Sequence, residues 1–187
     1  MLLKLWLKTL LYRLRGWCPP TEILVRQGMT VGRNFKRLND VIWDPGHCWL
    51  IEIGDNVTLA PRVHILCHDA STKNALGYAK VGGGVNIGDN VFIGADSVVL
   101  PGSRIGSDVV VGAKSTICGD IPNGVVVAGC PARVICSHSD YLARMRAAMD
   151  GNAAVWGEAY TLRGGITEAH KAEMRSALKK TRIGFVK

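Results

Sequence analysis

The sequence predicts an all-β fold, a solenoid of short strands, on the strength of three observations. Aliphatic residues recur at every sixth position through the middle of the chain: Ile53, Leu59 and Ile65, then Val81, Ile87, Ile93, Val99, Ile105, Val111 and Ile117. Two positions before most of them stands a small or β-branched residue: Val57, Val63, Val85, Val91, Ser97, Ser103, Val109 or Ser115. Gly or Ala and a polar pair often follow, as in Ile53-Gly-Asp-Asn, Ile87-Gly-Asp-Asn and Ile105-Gly-Ser-Asp, a composition suited to tight corners with left-handed backbone angles. A helix repeats every 3.6 residues and a strand alternates every two, so neither makes a period of six alone. One short strand and one turn, recurring and stacked, do make it. In this reading both marked positions face inward and each hexapeptide forms one side of a coil.

The elements follow in chain order. Residues 1–20 read as an amphipathic helix and a linker: Leu3, Leu7, Leu10 and Leu14 share one face, and Lys4, Lys8 and Arg15 another. Lys4, Lys8 and Arg13 interrupt the apolar stretch and no small-residue cleavage site follows, which argues against a signal peptide, and the stretch falls short of the roughly 18 apolar residues of a membrane span. Two placements stay open for this helix. It docks on the solenoid or a neighbouring subunit, or it lies in a membrane interface with its basic residues near anionic lipid and Trp6 at headgroup depth. Gly16 and Pro19-Pro20 end it and begin an extended lead-in.

The solenoid is expected over residues 21–136. Its first coil is irregular: Val25 and Val31 keep the step, Asn39 to Trp49 do not, and Asp44-Pro45-Gly46-His47 reads as a projecting turn. Ile65 and Ile87 are 22 residues apart, four more than one 18-residue coil, so a loop of about residues 71–84 is expected to leave the helix, made pliable by Gly77 and Gly82-Gly83-Gly84. Pro122 and the Pro131 turn close the last coil, whose strand edge would otherwise stand open. Residues 137–187 read as a helical extension packed on the outside of the solenoid. One helix starts near Asp140, with Tyr141, Leu142, Met145, Ala148 and Met149 on one face, and Thr167 caps a second that runs to about Lys180.

Units such as Ile-Gly-Asp-Asn-Val-Thr, ended by Val-Ala-Gly-Cys-Pro-Ala-Arg-Val-Ile at residues 127–135, resemble those of the hexapeptide-repeat acyltransferases, over roughly residues 31–135. The resemblance implies a left-handed parallel β-helix of triangular section, three hexapeptides per coil, working as a homotrimer with acetyl-CoA bound between subunits. The hand comes from the resemblance alone, since the general rule for parallel crossovers gives the opposite one.

The chain of 187 residues has room for this solenoid and its flanking elements, not for a second globular domain. Its net charge of +8, from 23 Lys and Arg against 15 Asp and Glu, suggests an anionic partner: coenzyme A phosphates, nucleotide-linked or lipid-linked sugars, or an anionic membrane face. No nucleic-acid-reading motif and no basic run interleaved with aromatics occurs, so nucleic acid is not expected. Six cysteines without a Cys-x-x-Cys pair read as reduced thiols of a cytoplasmic protein, possible peripheral contact with the inner membrane face included, and no metal is expected.

The chemistry is concentrated in Val63-His64-Ile65-Leu66-Cys67-His68-Asp69-Ala70, just before the loop. Moving an acetyl group from a thioester to a hydroxyl needs a base for the hydroxyl proton, and imidazole, with an ordinary pKa of about 6.5, suits neutral pH. His68, at a corner, is the candidate, and the resemblance gives it the role of general base; a solvated turn histidine is the alternative. His64 should point outward on a flat face. Asp69 either orients His68, hydrogen-bonds a sugar hydroxyl, or is satisfied by its own backbone. Asp44 and His47, one coil below, reach the acceptor or serve their own turn. For acetyl-CoA the resemblance implies the Gly-Ala corners at Ala95 and Ala113 for the pantetheine arm and Arg133 for a phosphate. Related sequences often carry Thr-Lys where this one has Cys118-Gly119, which removes one expected cation.

The function these residues imply is acetyl-CoA-dependent O-acetylation of a sugar, in assembly of a surface polysaccharide or lipopolysaccharide. N-acetylation of an amino sugar is the second reading. From other classes come a γ-type carbonic anhydrase, which needs three histidines around zinc, and a non-catalytic scaffold. An acyl-cysteine route through Cys67 is disfavoured because strand alternation turns Cys67 and His68 to opposite sides.

Overall fold

The computed structural model describes residues 19–187; the helix expected over residues 1–15 lies outside them. From Thr30 the chain winds through three parallel sheets in strict rotation. The first sheet stacks Thr30–Val31, Ile51–Ile53, Val85–Ile87, Arg104–Ile105 and Asp120–Ile121. The second stacks Lys36–Arg37, Thr58–Leu59, Phe92–Ile93, Val110–Val111 and Val125–Gly129, and the third Ile42–Trp43, His64–Ile65, Val98–Val99 and Thr116–Ile117. Every coil stands in register on the last: Ile93 pairs with Leu59 below and Val111 above, and Val99 with Ile65 and Ile117.

Register puts like on like inside. Leu59, Ile65, Ile93, Val99, Val111 and Ile117 are fully buried, as are Val57, Val63, Ser97, Ser103 and Val109. Each large aliphatic stabilises the column by about 1.5–3 kcal/mol relative to exposure. The inward serines use the neighbouring backbone, Ser97 Oγ donating to Gly112 O at 3.0 Å and Ser103 Oγ to Ile117 O at 3.2 Å, so burial leaves neither hydroxyl unsatisfied.

The Gly-Asp-Asn corners between the first and second sheets have a physical cause. A Cβ on Gly88 would come within 2.8 Å of the backbone at Gly106 and Ser107, so only glycine allows the next coil so close. The following residue bridges coils: the Asp55 amide donates to Asp89 Oδ1 at 2.7 Å, and the Asp89 amide to Ser107 Oγ at 3.0 Å. The third takes a left-handed φ, 57° at both Asn56 and Asn90, and continues a side-chain amide ladder, Asn56 Nδ2 to Asn90 Oδ1 at 3.0 Å.

Several expectations are corrected. The lead-in is a short helix, Thr21–Arg26, that buries Leu24 and leaves Val25 46% exposed; Pro20 fits just ahead of a helix start, where the missing N–H costs nothing. Ile42–Trp43 is a regular rung of the third sheet, with Trp43 inward, so the first coil departs from its pattern only from Asp44. Val81 is not a rung: it is 49% exposed, in an antiparallel pair of His68–Asp69 with Lys80–Val81. The insertion is also larger than spacing suggested. Glu52 pairs with Asn86, 34 residues on, where the regular Phe92–Val110 coil takes 18, so sixteen residues leave the helix. They form that ladder around a helical turn, Lys73–Leu76.

The solenoid ends in an antiparallel hairpin of Val125–Gly129 and Ala132–Ser137. A second compact unit covers Ser139–Lys187. It contains the helix His138–Asp150 from its second residue, then Glu168–Thr181, whose N-cap Thr167 accepts from the His170 amide at 3.2 Å. An unforeseen parallel pair, Ala154–Trp156 with Gly184–Val186, centres on buried Trp156. Leu142 and Met149, expected on an apolar face, are 48% and 41% exposed. Among the described residues no helix is long and apolar enough to cross a membrane.

The column predicts a contrast in stability. Ile93→Ala opens a cavity between two coils and should cost about 2–5 kcal/mol in urea unfolding, whereas Arg104→Ala, at an outward position of the first sheet, should stay within about 0.5 kcal/mol. Equal effects would contradict the register described.

Candidate active site

Two irregular segments leave the column where the third sheet hands over to the first: residues 44–50, and the insertion that starts after Leu66. Their juxtaposition builds the site. Asp44 follows Trp43, and burial of that indole draws the aspartate in with it: its side chain is only 1% exposed. Three donors surround the carboxylate. The Cys67 amide donates to Oδ2 at 3.1 Å, His68 Nδ1 makes a short hydrogen bond to the same oxygen, and His47 Nδ1 lies 3.4 Å from Oδ1. Burial works against the charge, but the His68 and Cys67 hydrogen bonds and the His47 contact outweigh it, and the Asp44 pKa falls below the ordinary 3.8. An ionised carboxylate only accepts, so His68 must carry its proton on Nδ1, leaving the Nε2 lone pair free.

His68 remains 40% exposed at its side chain and His47 29%. The two rings approach to 5.0 Å between centroids, and Trp49 also packs against His47, at 5.6 Å. A half-open pair of imidazoles thus stands over a sealed, negatively charged floor. Such an arrangement takes a proton from a bound hydroxyl and holds the resulting imidazolium in place; its nitrogen and oxygen donors are also metal-ligating types.

The expected residues distribute unevenly. Asp44, His47 and His68 come together, but Asp44 is covered beneath the histidines, where no acceptor reaches it. The Asp44 side chain folds inward, while Pro45 and Gly46 at the tip of the turn are exposed. Asp69 does not orient His68: its Oδ1 accepts from the Ser71 amide at 2.9 Å and its Oδ2 pairs with Lys80 Nζ at 3.1 Å. The Ser71 amide and hydroxyl together with Lys80 hold its pKa down at about 2. Cys67 is wholly buried, and burial, with Asp44 and Cys48 nearby, pushes its thiol up to about 12, so it is no nucleophile. His64 stands outward on the third sheet between Ile42 and Val98.

Ala95 and Ala113 lie at the corner between the second and third sheets, a different edge from the one carrying His68. One chain does not bring the two groups together. A Cβ on Gly94 would come within 2.8 Å of Gly112 and Ala113 backbone, so coil stacking alone requires that glycine; Ala95 O accepts from the Lys114 amide at 2.8 Å. Arg133 is exposed in the closing hairpin opposite Ala128. Sequence reasoning passed over Lys114, exposed at the Gly112-Ala113 corner with a φ of 57°. It helps Arg62, the main cause, lower the Asp96 pKa. It shares this left-handed corner position with Arg62, at a φ of 59°, in a place held by Asp40 and Asp96 in other coils.

Comparison with known proteins bears on this architecture. Residues 77–119 match the family profile "Bacterial transferase hexapeptide (six repeats)". The chain is 38% identical over 123 residues to the galactoside O-acetyltransferase of Escherichia coli, covering 63% of this chain and 58% of that protein. It is 33% identical over 133 residues to the putative acetyltransferase YvoF of Bacillus subtilis, covering 71% of this chain and 72% of the relative. The chain belongs to the hexapeptide-repeat acetyltransferase family. A solved member, a Vibrio cholerae hexapeptide-repeat-containing acetyltransferase in complex with acetyl coenzyme A, superposes with a TM-score of 0.52 at 26% identity, over 59% of this chain and 61% of that one. Membership in the hexapeptide-repeat family implies the left-handed winding of the three parallel sheets. The chain nevertheless spans under two thirds of the galactoside O-acetyltransferase.

Two measurements follow from the site's electrostatics. Because the Asp44 pKa is lowered on folding, its stabilisation is fully present above the unfolded value near 3.8 and is lost as pH falls through the depressed folded value. The unfolding free energies of the wild type and Asp44→Asn should therefore converge only below about pH 4; a gap constant down to pH 3 would refute the assignment. A thiol with a pKa near 12 is ionised to about one part in ten thousand at pH 8. Iodoacetamide should accordingly label exposed Cys118 and Cys130 well before Cys67, as read by peptide mass spectrometry.

Proposed function

We propose that this protein transfers an acetyl group from acetyl-CoA to a hydroxyl of a sugar, with His68 as general base and Asp44 as the residue that positions it. The hydrogen bond between His68 Nδ1 and buried Asp44 carries the reading, because it leaves a fixed, half-exposed Nε2 with the lone pair such a reaction uses. In the reaction His68 Nε2 takes the acceptor hydroxyl proton as its oxygen bonds to the thioester carbonyl carbon. The carbon–sulfur bond then breaks, and His68 returns the proton to the departing thiolate. Asp44 stays ionised throughout and stabilises the transient imidazolium.

The corners at Ala95 and Ala113 are assigned to the pantetheine arm, with Arg133 and Lys114 at the phosphates. Lys114 supplies a cation where Cys118-Gly119 lacks one. Since these groups and His68 occupy different edges of one column, the working site combines two chains, and a homotrimer is the assembly that fits a three-sided column. The galactoside O-acetyltransferase relative supports a hydroxyl on a sugar over an amine, and the saccharide units of surface polysaccharides and lipopolysaccharides are the acceptors to screen first, by release of free thiol.

His68→Ala should lower kcat by about a hundredfold or more with the assembly intact. Asp44→Asn should do comparable damage, because an amide donor in place of an acceptor drives the proton onto Nε2. Turnover within a few-fold of the wild type in His68→Ala would remove it as the base.

A further inference from the structure

We infer that Asp44, His47 and His68 form a binding site for a divalent transition-metal ion, of which Zn²⁺ is the best match, and that the occupied site is the switched-off form of the transferase. The three side chains each offer a donor atom, and these atoms all lie within 4.8 Å of one another. Around a tetrahedral zinc with bonds of about 2.0–2.2 Å, donor atoms sit roughly 3.4 Å apart. His47 Nδ1 and Asp44 Oδ1 already stand at 3.4 Å. Only His68, now closer to Asp44 than a shared metal permits, has to swing outward. Its side chain is 40% exposed, so the swing is open on the solvent side and exchanges the hydrogen bond to Asp44 for a bond to the metal.

The surroundings have the second layer that metal sites use. The Cys67 amide at 3.1 Å fixes the carboxylate, and Trp49 restrains the His47 ring. One carboxylate and two imidazoles suit zinc in preference to the hard cations magnesium and calcium. The open side of the two histidines leaves the fourth position to water, so an ion enters without unfolding the turn. No use of His47 as a base is needed to explain the acetyl transfer, whereas a metal uses it directly.

Binding through Nδ1 would require the single proton of the neutral His68 ring to move from Nδ1 to Nε2, by exchange with water. An imidazole in that state accepts no further proton, so zinc and acceptor deprotonation exclude each other. This second half rests on His68 being the base; the binding half does not.

The test uses the full chain without a polyhistidine tag, titrated with Zn²⁺ against a chromophoric chelator. One ion per chain should bind with micromolar or tighter affinity, and Co²⁺ should give the visible absorption of a four-coordinate site. His47→Ala and His68→Ala should each weaken binding at least about tenfold, with His47→Gln as a second variant if His47→Ala misfolds by circular dichroism. His64→Ala should bind as the wild type. Absence of stoichiometric binding, or binding undiminished in the His47 variants, overturns the site. Zinc that binds through these residues yet leaves thiol release unimpaired upholds the site and overturns its role as an off state, and with it His68 as the base. A chain inactive toward every acceptor but binding zinc in the expected pattern upholds the site on its own.

Discussion

In-register stacking of coils is the constraint on which the rest of this structure depends. Each coil contributes one inward aliphatic per sheet, and that side chain has no partner within its own coil large enough to cover it. Ile93 is buried because Leu59 and Val111 stand below and above it. The same register forces glycine where backbones approach at a corner and rewards an Asp or Ser that spans to the next coil. A hydrophobic column and a polar corner ladder are thus two consequences of one repeat. Neither tolerates a one-residue slip, which would turn the aliphatics outward.

This division explains how much could be read in advance. The regular coils from Val85 to Ile117 were legible because each hexapeptide carries its own signal, an inward pair followed by a corner. Short irregular segments carry no such redundancy. Val81 keeps the six-residue spacing by coincidence and sits in an antiparallel ladder instead. Val25 keeps it too, yet belongs to a helix whose buried residue is the neighbouring Leu24. Counting from Ile65 to Ile87 misjudged the insertion because the two residues belong to different sheets, the third and the first.

The site was half legible for the same reason. His68 stood out by its place ahead of the break in the repeat. Its partner did not, since Asp44 is 24 residues away, in a turn whose path no periodicity describes. Of the roles open to Asp69, the structure takes the local one: a short side chain followed by a turn finds the amide two residues on first, and Ser71 provides it. A signal did exist: a charged residue directly after an inward Trp, ahead of Pro-Gly, stands where the repeat first fails.

Chemistry therefore collects where the repeat fails. The regular corners are saturated by their own stacking, as at Ala95, whose carbonyl already receives the Lys114 amide, and Arg62 at the same corner is paired with Asp96. The two segments that break the rhythm do the opposite. They bring an ionised carboxylate under the surface, where water cannot satisfy it, and the cost of that burial is offset only by donors fixed on it, among them His68 and His47. The need to satisfy Asp44 sets the tautomer of His68, and the tautomer sets which nitrogen faces the solvent. The His68 edge and the Gly-Ala corners lie at different edges of one column, so any chemistry that used both would have to draw on more than one copy of the chain.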